Sequence, residues 1–188
     1  MQVSEYVREA LDLIKEDLAN NNLRGVYATL GDESIEPEII GQITKLLIDC
    51  GIDVPSEFEK LGYIPPFAFY GNKTYPPQWI EDDGDLNIPS SIVEIGTEAF
   101  YSMGEAIRGV DLSGLLVGEY AFAFSKIDYL FVDSMTEIHT AAFSGSGVDL
   151  ISVPNTMPKG QVDALIEAGF MNDYDDETKD IDIDYYTP

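Results

Sequence analysis

Two groups of closely spaced carboxylates are the first residues that could do chemistry. Asp82, Asp83 and Asp85 surround Gly84, and Asp180, Asp182 and Asp184 alternate with Ile181 and Ile183. Hard oxygen donors suit calcium, but a calcium loop needs ligands at fixed spacing closed by a bidentate glutamate. Neither run has that spacing. Residues on one side of a strand stand ~6–7 Å apart, so Asp180, Asp182 and Asp184 read as a solvated face. No metal and no cofactor are expected. His139 is the one histidine and Cys50 the one cysteine. A general base needs a nucleophile or substrate proton within reach and a group to orient it, and nothing near His139 supplies either. Cys50 falls on the apolar side of a helical pattern, where a thiol behaves as a small hydrophobe. No Gly-rich phosphate loop is present. Asn72-Lys73-Thr74 matches a glycosylation acceptor, a pattern common by chance. No catalytic residue is expected, and the chain reads as a non-enzyme.

The elements that must carry these residues fall into three segments. Residues 1–60 form a helical N-terminal cap. Val3, Val7, Leu11, Ile14 and Leu18 step by helical intervals, and Asn20-Asn21-Asn22 ends that run. Leu23, Val26, Tyr27 and Leu30 predict a short second helix. Ser34 offers a cap to a third, with Pro37 in the first turn and Gly51 as its stop. Its apolar face is Ile39, Ile40, Ile43, Leu46, Leu47 and Cys50. A further turn is expected around Phe58 and Leu61. Residues 61–157 lose the helical period and repeat. Residues 158–188 read as a C-terminal cap: a helix with Val162, Leu165 and Ile166 on one face and Gly169 at its end. A strand then places Ile181, Ile183 and Tyr185 inward and the aspartates outward, with a disordered acidic tail as the competing reading of residues 172–188.

The repeat is carried by particular residues. Ile95-Gly96-Thr97-Glu98-Ala99-Phe100 recurs as Val117-Gly118-Glu119-Tyr120-Ala121-Phe122 and as Ile138-His139-Thr140-Ala141-Ala142-Phe143. Ile64-Pro65-Pro66-Phe67-Ala68-Phe69 is a degenerate first copy. The marker phenylalanines Phe100, Phe122 and Phe143 are 22 and 21 residues apart, and 31 residues separate Phe69 from Phe100, so an insertion lies around residues 73–85. Strand-like stretches precede the copies at 86–89, 110–113 and 129–132, and a fourth lies at 150–154. The pattern resembles the BspA-type leucine-rich repeat over residues 62–154, with Leu112-Ser113 replacing an Ile-Pro pair and His139 replacing a glycine. The resemblance implies an α+β solenoid of about four leucine-rich repeats, with an all-helical N-terminal cap and a C-terminal helix and strand cap. One such unit cannot bury its own apolar face, so stacked units share a core and the ends need covers.

Charge bounds the partners. The chain has 188 residues with 35 acidic and 10 basic side chains, a net charge of −25. Nucleic-acid binding needs clustered Lys and Arg, so no direct nucleic-acid binding is expected, and anionic membranes are disfavoured on the same ground. A basic protein surface would be steered in. No apolar run reaches the ~18 residues of a membrane helix. Residues 1–6 have neither the basic flank nor the apolar run of a signal peptide. With a single cysteine, these points predict a cytoplasmic protein.

Three functions follow as expectations. The first is a non-enzymatic protein–protein interaction module anchored by aromatics outside the core pattern: Tyr75, Trp79, Tyr101 and Tyr129. Asp82, Asp83, Asp85, Asp180, Asp182 and Asp184 would supply charge complementarity. The second is an acidic DNA mimic that inhibits a host nucleic-acid enzyme or defence system. Duplex DNA carries one charge per ~1.7 Å, so 25 charges match about 40 Å of duplex, near the diameter of a chain this size. The third is a structural part of a phage particle or other assembly. The resemblance points to a phage-encoded chain acting in a bacterium or infected host, because repeats of this type also occur in phage genomes.

Overall fold

The computed structural model describes residues 13, 16–20, 22–30, 37–49, 51–73, 76–170 and 181–188. Ahead of the strands lie the helices α1 (Leu23–Leu30), α2 (Pro37–Asp49) and α3 (Val54–Leu61). Proline opens α2, where its missing N–H costs nothing. Gly51 follows its end and donates to the Ile48 carbonyl at 2.8 Å. Asp53 caps α3 by accepting from the Ser56 N–H, and Gly62 closes it in a left-handed conformation. The expected cap at Ser34, the helical residues Val3, Val7, Leu11 and Ile14, and Cys50 lie outside the described residues.

Among the described residues eight strands follow: β1 (Tyr63–Ile64), β2 (Glu94–Ile95), β3 (Ala106–Asp111), β4 (Leu116–Val117), β5 (Lys126–Phe131), β6 (Glu137–Ile138), β7 (Leu150–Pro154) and β8 (Asp182–Tyr186). Helix α4 (Lys159–Phe170) lies between β7 and β8. The strands form two parallel four-stranded sheets, in the orders β1-β2-β4-β6 and β3-β5-β7-β8.

This architecture corrects the expected leucine-rich-repeat solenoid: the fold is α/β, built on two parallel sheets. The sequence reading placed one strand in each unit. Here the Ile-Gly stretches are strands too, with Ile64, Ile95, Val117 and Ile138 in register, and they make a sheet of their own. The stretch at 86–89 forms no strand; Leu86 makes a single parallel bridge to Val110. Strand β8 was expected as a separate cap and instead joins β7 in parallel as the fourth strand of the larger sheet.

The recurring residues build the core between these strands. The rings of Phe69, Phe100, Phe122, Phe143 and Phe170 stack in sequence at 5.1, 4.9, 5.4 and 5.4 Å. Their backbones form a matching ladder: Phe69 donates to Ala99, Phe100 to Ala121, Phe122 to Ala142 and Phe143 to Gly169, at 2.7–2.8 Å. Helix α4 therefore takes the place of a further unit, offering its last carbonyls and Phe170 to the stack. At the other end Phe58 of α3 packs edge-on against Phe69, 5.7 Å between centroids. Helix α1 follows through Tyr27, which meets Phe58 at 4.9 Å. Tyr27 shares a buried 2.7 Å hydrogen bond with Thr44 of α2, and burial pushes its phenol well above the usual range despite that bond. Non-glycine residues with positive φ recur at two turn positions, two before the marker phenylalanine (Phe67, Glu98, Tyr120, Ala141) and two after it (Ser102, Phe124).

Candidate interaction face

The larger sheet turns one face to the core and one outward, and its register decides which side chains share the outer face. Asp111, Phe131, Ser152 and Asp184 lie side by side across β3, β5, β7 and β8. The next outward row is Gly109, Tyr129, Leu150 and Asp182. Between them runs the buried row Val110, Leu130 and Ile151, with the half-buried Ile183 at its edge. Adjacent strands are ~4.8 Å apart, so Asp111 and Asp184 are separated by about 14 Å, with Phe131 between them. Phe131 is 37% exposed, and Asp111, Asp182 and Asp184 are exposed.

The inserted segment brings its aspartates to this face. Ile80 and Leu86 form an antiparallel bridge, and the chain between them turns with the Gly84 N–H on the Glu81 carbonyl at 2.9 Å. Leu86 donates to Gly109 and Arg108 to Gly84, which fixes the turn against β3. Tyr129 lies across Gly109, where any Cβ would approach within 2.3 Å of its ring. Its hydroxyl donates to Asp85 at 2.6 Å and accepts from Arg108 Nε and Nη2 at 3.2 and 3.1 Å. Arg108 also bridges Asp83 and Asp85, each at 3.1 Å. Those bonds, to Tyr129 and then to Asp85, raise the guanidinium pKa further above its ordinary value. Burial first, and then the bond to the Asp85 carboxylate, pushes the Tyr129 phenol up. The face has one arginine, and internal carboxylates occupy it. Tyr129 and Phe131 meet edge to face at 5.3 Å.

Asp133 closes the lower end of the face. Its Oδ1 accepts from the N–H groups of Gly114 and Met135, both at 2.9 Å, and from Thr136 Oγ1 at 3.0 Å. Burial alone would raise its pKa, but the backbone donors outweigh burial and hold the carboxyl below the usual range. Tyr186 stands nearby, its phenol pushed up by burial and then by Asp133 and Asp111.

The residues singled out in the sequence divide unevenly. Asp182 and Asp184 lie on the outer face, and Asp83 and Asp85 reach it through Arg108. Asp82 is exposed on the turn. Tyr75 and Asp180 lie outside the described residues. Trp79 is a correction: it is 3% exposed and packs edge-on against Phe69 at 6.2 Å, so it is a core residue and not an exposed anchor. Tyr101 is half-buried and stacks on Tyr70 at 4.7 Å. Tyr185, expected inward, is 52% exposed, because the larger sheet ends at β8. His139 is exposed. Asp111, Arg108 and Phe131 were missed. Phe131 did carry a signal, since it follows Leu130 in period-two alternation and so had to face outward.

Among the described residues, no group of His, Cys, Asp and Glu is arranged to hold a metal, and no helix is long and apolar enough to cross a membrane. No protein-family model, curated protein or solved structure matches this chain.

Proposed function

We propose that the chain is a non-enzymatic binding protein whose ligand is a basic protein surface, docked on the outer face of the larger sheet. The observation that supports this is the register of β3, β5, β7 and β8, which sets Tyr129 and Phe131 among Asp111, Asp182 and Asp184. Aromatic side chains at the centre of a patch supply most of the binding energy, and surrounding charges supply steering and specificity. A net charge of −25 speeds the encounter with a basic partner and repels nucleic acid.

A narrower reading makes the basic surface a nucleic-acid groove. The net charge of −25, equal to that of about 40 Å of duplex DNA, supports it.

The test is affinity capture from host lysate with the chain as bait and elution across a salt gradient, run beside a Phe131→Ala/Asp184→Asn variant. The reading expects a basic protein that the variant captures poorly. Equal capture by the variant overturns it. Elution at moderate salt with competition by duplex DNA selects the groove reading. Retention at high salt without competition selects the aromatic-anchored one.

A further inference from the structure

The larger sheet has one open side. Its strand order ends at β8, and among the described residues no strand pairs with the far side of β8. The other end is covered, because Leu86 of the inserted segment bridges to Val110 of β3 and donates to the Gly109 carbonyl. Pairing with β7 sets which backbone groups of β8 are committed. The Asp182 N–H donates to Asp149 at 2.9 Å, and the Tyr186 carbonyl accepts from the Asn155 N–H at 2.8 Å. A parallel ladder engages every second residue of a strand, so Asp182, Asp184 and Tyr186 turn their backbone groups to β7. Ile183 and Tyr185 turn their N–H donors and carbonyl acceptors to the open side. The pleat then sorts the side chains. Asp182 and Asp184 stand exposed on the outer face. Ile183 and Tyr185 stand on the inner face, opposite the buried Ile151 and Val153. The apolar layer runs out there, leaving Tyr185 52% exposed. An unpaired strand edge is a template for another strand, and this alternation specifies what that strand must carry.

We propose that β8 takes an extended basic segment of the partner as a further strand of the larger sheet, with Lys or Arg at alternate positions and apolar residues between them. Its cations would stand about 5 Å from Asp182 and Asp184 on the outer face. Its apolar side chains would continue the inner layer over Ile183 and Tyr185. Main-chain bonds hold an added strand, and its alternate side chains give the selectivity. A second copy of this chain does not fit the edge. Pairing β8 with itself sets aspartate against aspartate, which destabilises a sheet, in chains that each carry a net charge of −25. Charged edges are a common defence against such self-pairing. The proposal rests on the basic-partner reading above and extends it from the face of the sheet to its edge.

The probe is the peptide acetyl-Gly-Lys-Val-Lys-Val-Lys-Gly-amide, titrated into the full chain at low salt. The readout is hydrogen exchange at the Ile183 and Tyr185 amides. In the chain alone both should exchange about tenfold or more faster than the amides of Asp184 and Tyr186, which β7 engages. Saturating peptide should slow both by about tenfold or more. One control, acetyl-Gly-Lys-Lys-Val-Val-Lys-Gly-amide, keeps the charge and breaks the alternation, and should protect them less. The other is the alternating peptide N-methylated at its central three residues. It keeps the charge, loses backbone donors, and should not protect them. Asp182→Asn and Asp184→Asn should each weaken binding of the alternating peptide about two- to five-fold. Amides that stay unprotected, or that the N-methylated peptide protects equally, overturn the proposal. So does protection already present in the chain alone, and protection that grows with chain concentration assigns the edge to a second copy instead. Phe131→Ala, two strands in from the edge, should leave the peptide effect unchanged. Edge protection with partner capture that ignores Phe131→Ala defeats only the sheet-face reading. Capture impaired by that variant with no edge protection defeats only the added strand.

Discussion

Replacing Gly109 by alanine tests the candidate face at its centre. The new Cβ would lie 2.3 Å from Tyr129 Cε2 and 2.5 Å from Cζ, against an ordinary contact of about 3.5–4.0 Å. The ring must move by more than about 1 Å to restore that contact. Its hydroxyl then leaves Asp85, now 2.6 Å away, because such bonds fade beyond about 3.0 Å. Overpacking costs about 1–3 kcal/mol, and the lost hydrogen bond about 0.5–1.5 kcal/mol. Alanine returns about 0.5–1 kcal/mol through its smaller unfolded-state entropy. The net expectation is a loss of about 1–3 kcal/mol, with Tm falling about 2–4 °C per kcal/mol in a chain of this size. Urea denaturation followed by far-ultraviolet circular dichroism measures it. Gly160→Ala is the control: in α4 its Cβ meets nothing within 4 Å, so the same exchange should stabilise by about 0.5–1 kcal/mol. If Gly109→Ala matches wild type, or shifts stability in the same direction as Gly160→Ala, then Tyr129 is not pinned across the sheet and the face is not preorganised.

Gly41 makes a harsher contact, because a Cβ there would lie 2.0 Å from the Tyr70 carbonyl oxygen. Backbone cannot swing aside as a ring can, so Gly41→Ala should push α2 off the turn beneath it, at a cost of about 3 kcal/mol or more. Hydrogen exchange should then rise across residues 37–49 while the larger sheet keeps its protection, and unchanged exchange in α2 would refute the docking. Asp133 predicts a pH dependence. Its folded pKa lies below the unfolded value, so its contribution is present above about pH 4 and is lost as pH falls through the folded pKa. Asp133→Asn should cost about 1–2 kcal/mol at pH 7, with the gap from wild type closing in urea titrations below about pH 4; a gap that stays constant to pH 3 would show that charge plays no part.

The amino-acid sequence by itself determined the repeating core. Phe100, Phe122 and Phe143 recur at nearly constant spacing, and equal spacing puts like residues at like places, so their rings had to meet. It determined α2 and α4 as elements, because a helix's buried face is written in a local period: of the expected face Ile40 and Leu47 are buried in one, with Thr44 buried beside them and Ile39 and Leu46 exposed, and Val162 and Leu165 are buried in the other. Only the tertiary structure decided that there are two sheets. Strands of two residues such as Glu94–Ile95 and Leu116–Val117 have no readable period and exist only through hydrogen bonds to chain about 22 residues away. It also decided what the chemistry-bearing residues do. Trp79 resembled a surface anchor until its packing on Phe69 was seen, and Asp83 and Asp85 resembled free acids until Arg108, 25 and 23 residues on, was found against them. Asp184 joined Asp111 on one face through pairings with β7 and β5 that no local pattern encodes. Charge and periodicity are properties of a chain, but which charges share a face is set by register, and register is a property of the fold.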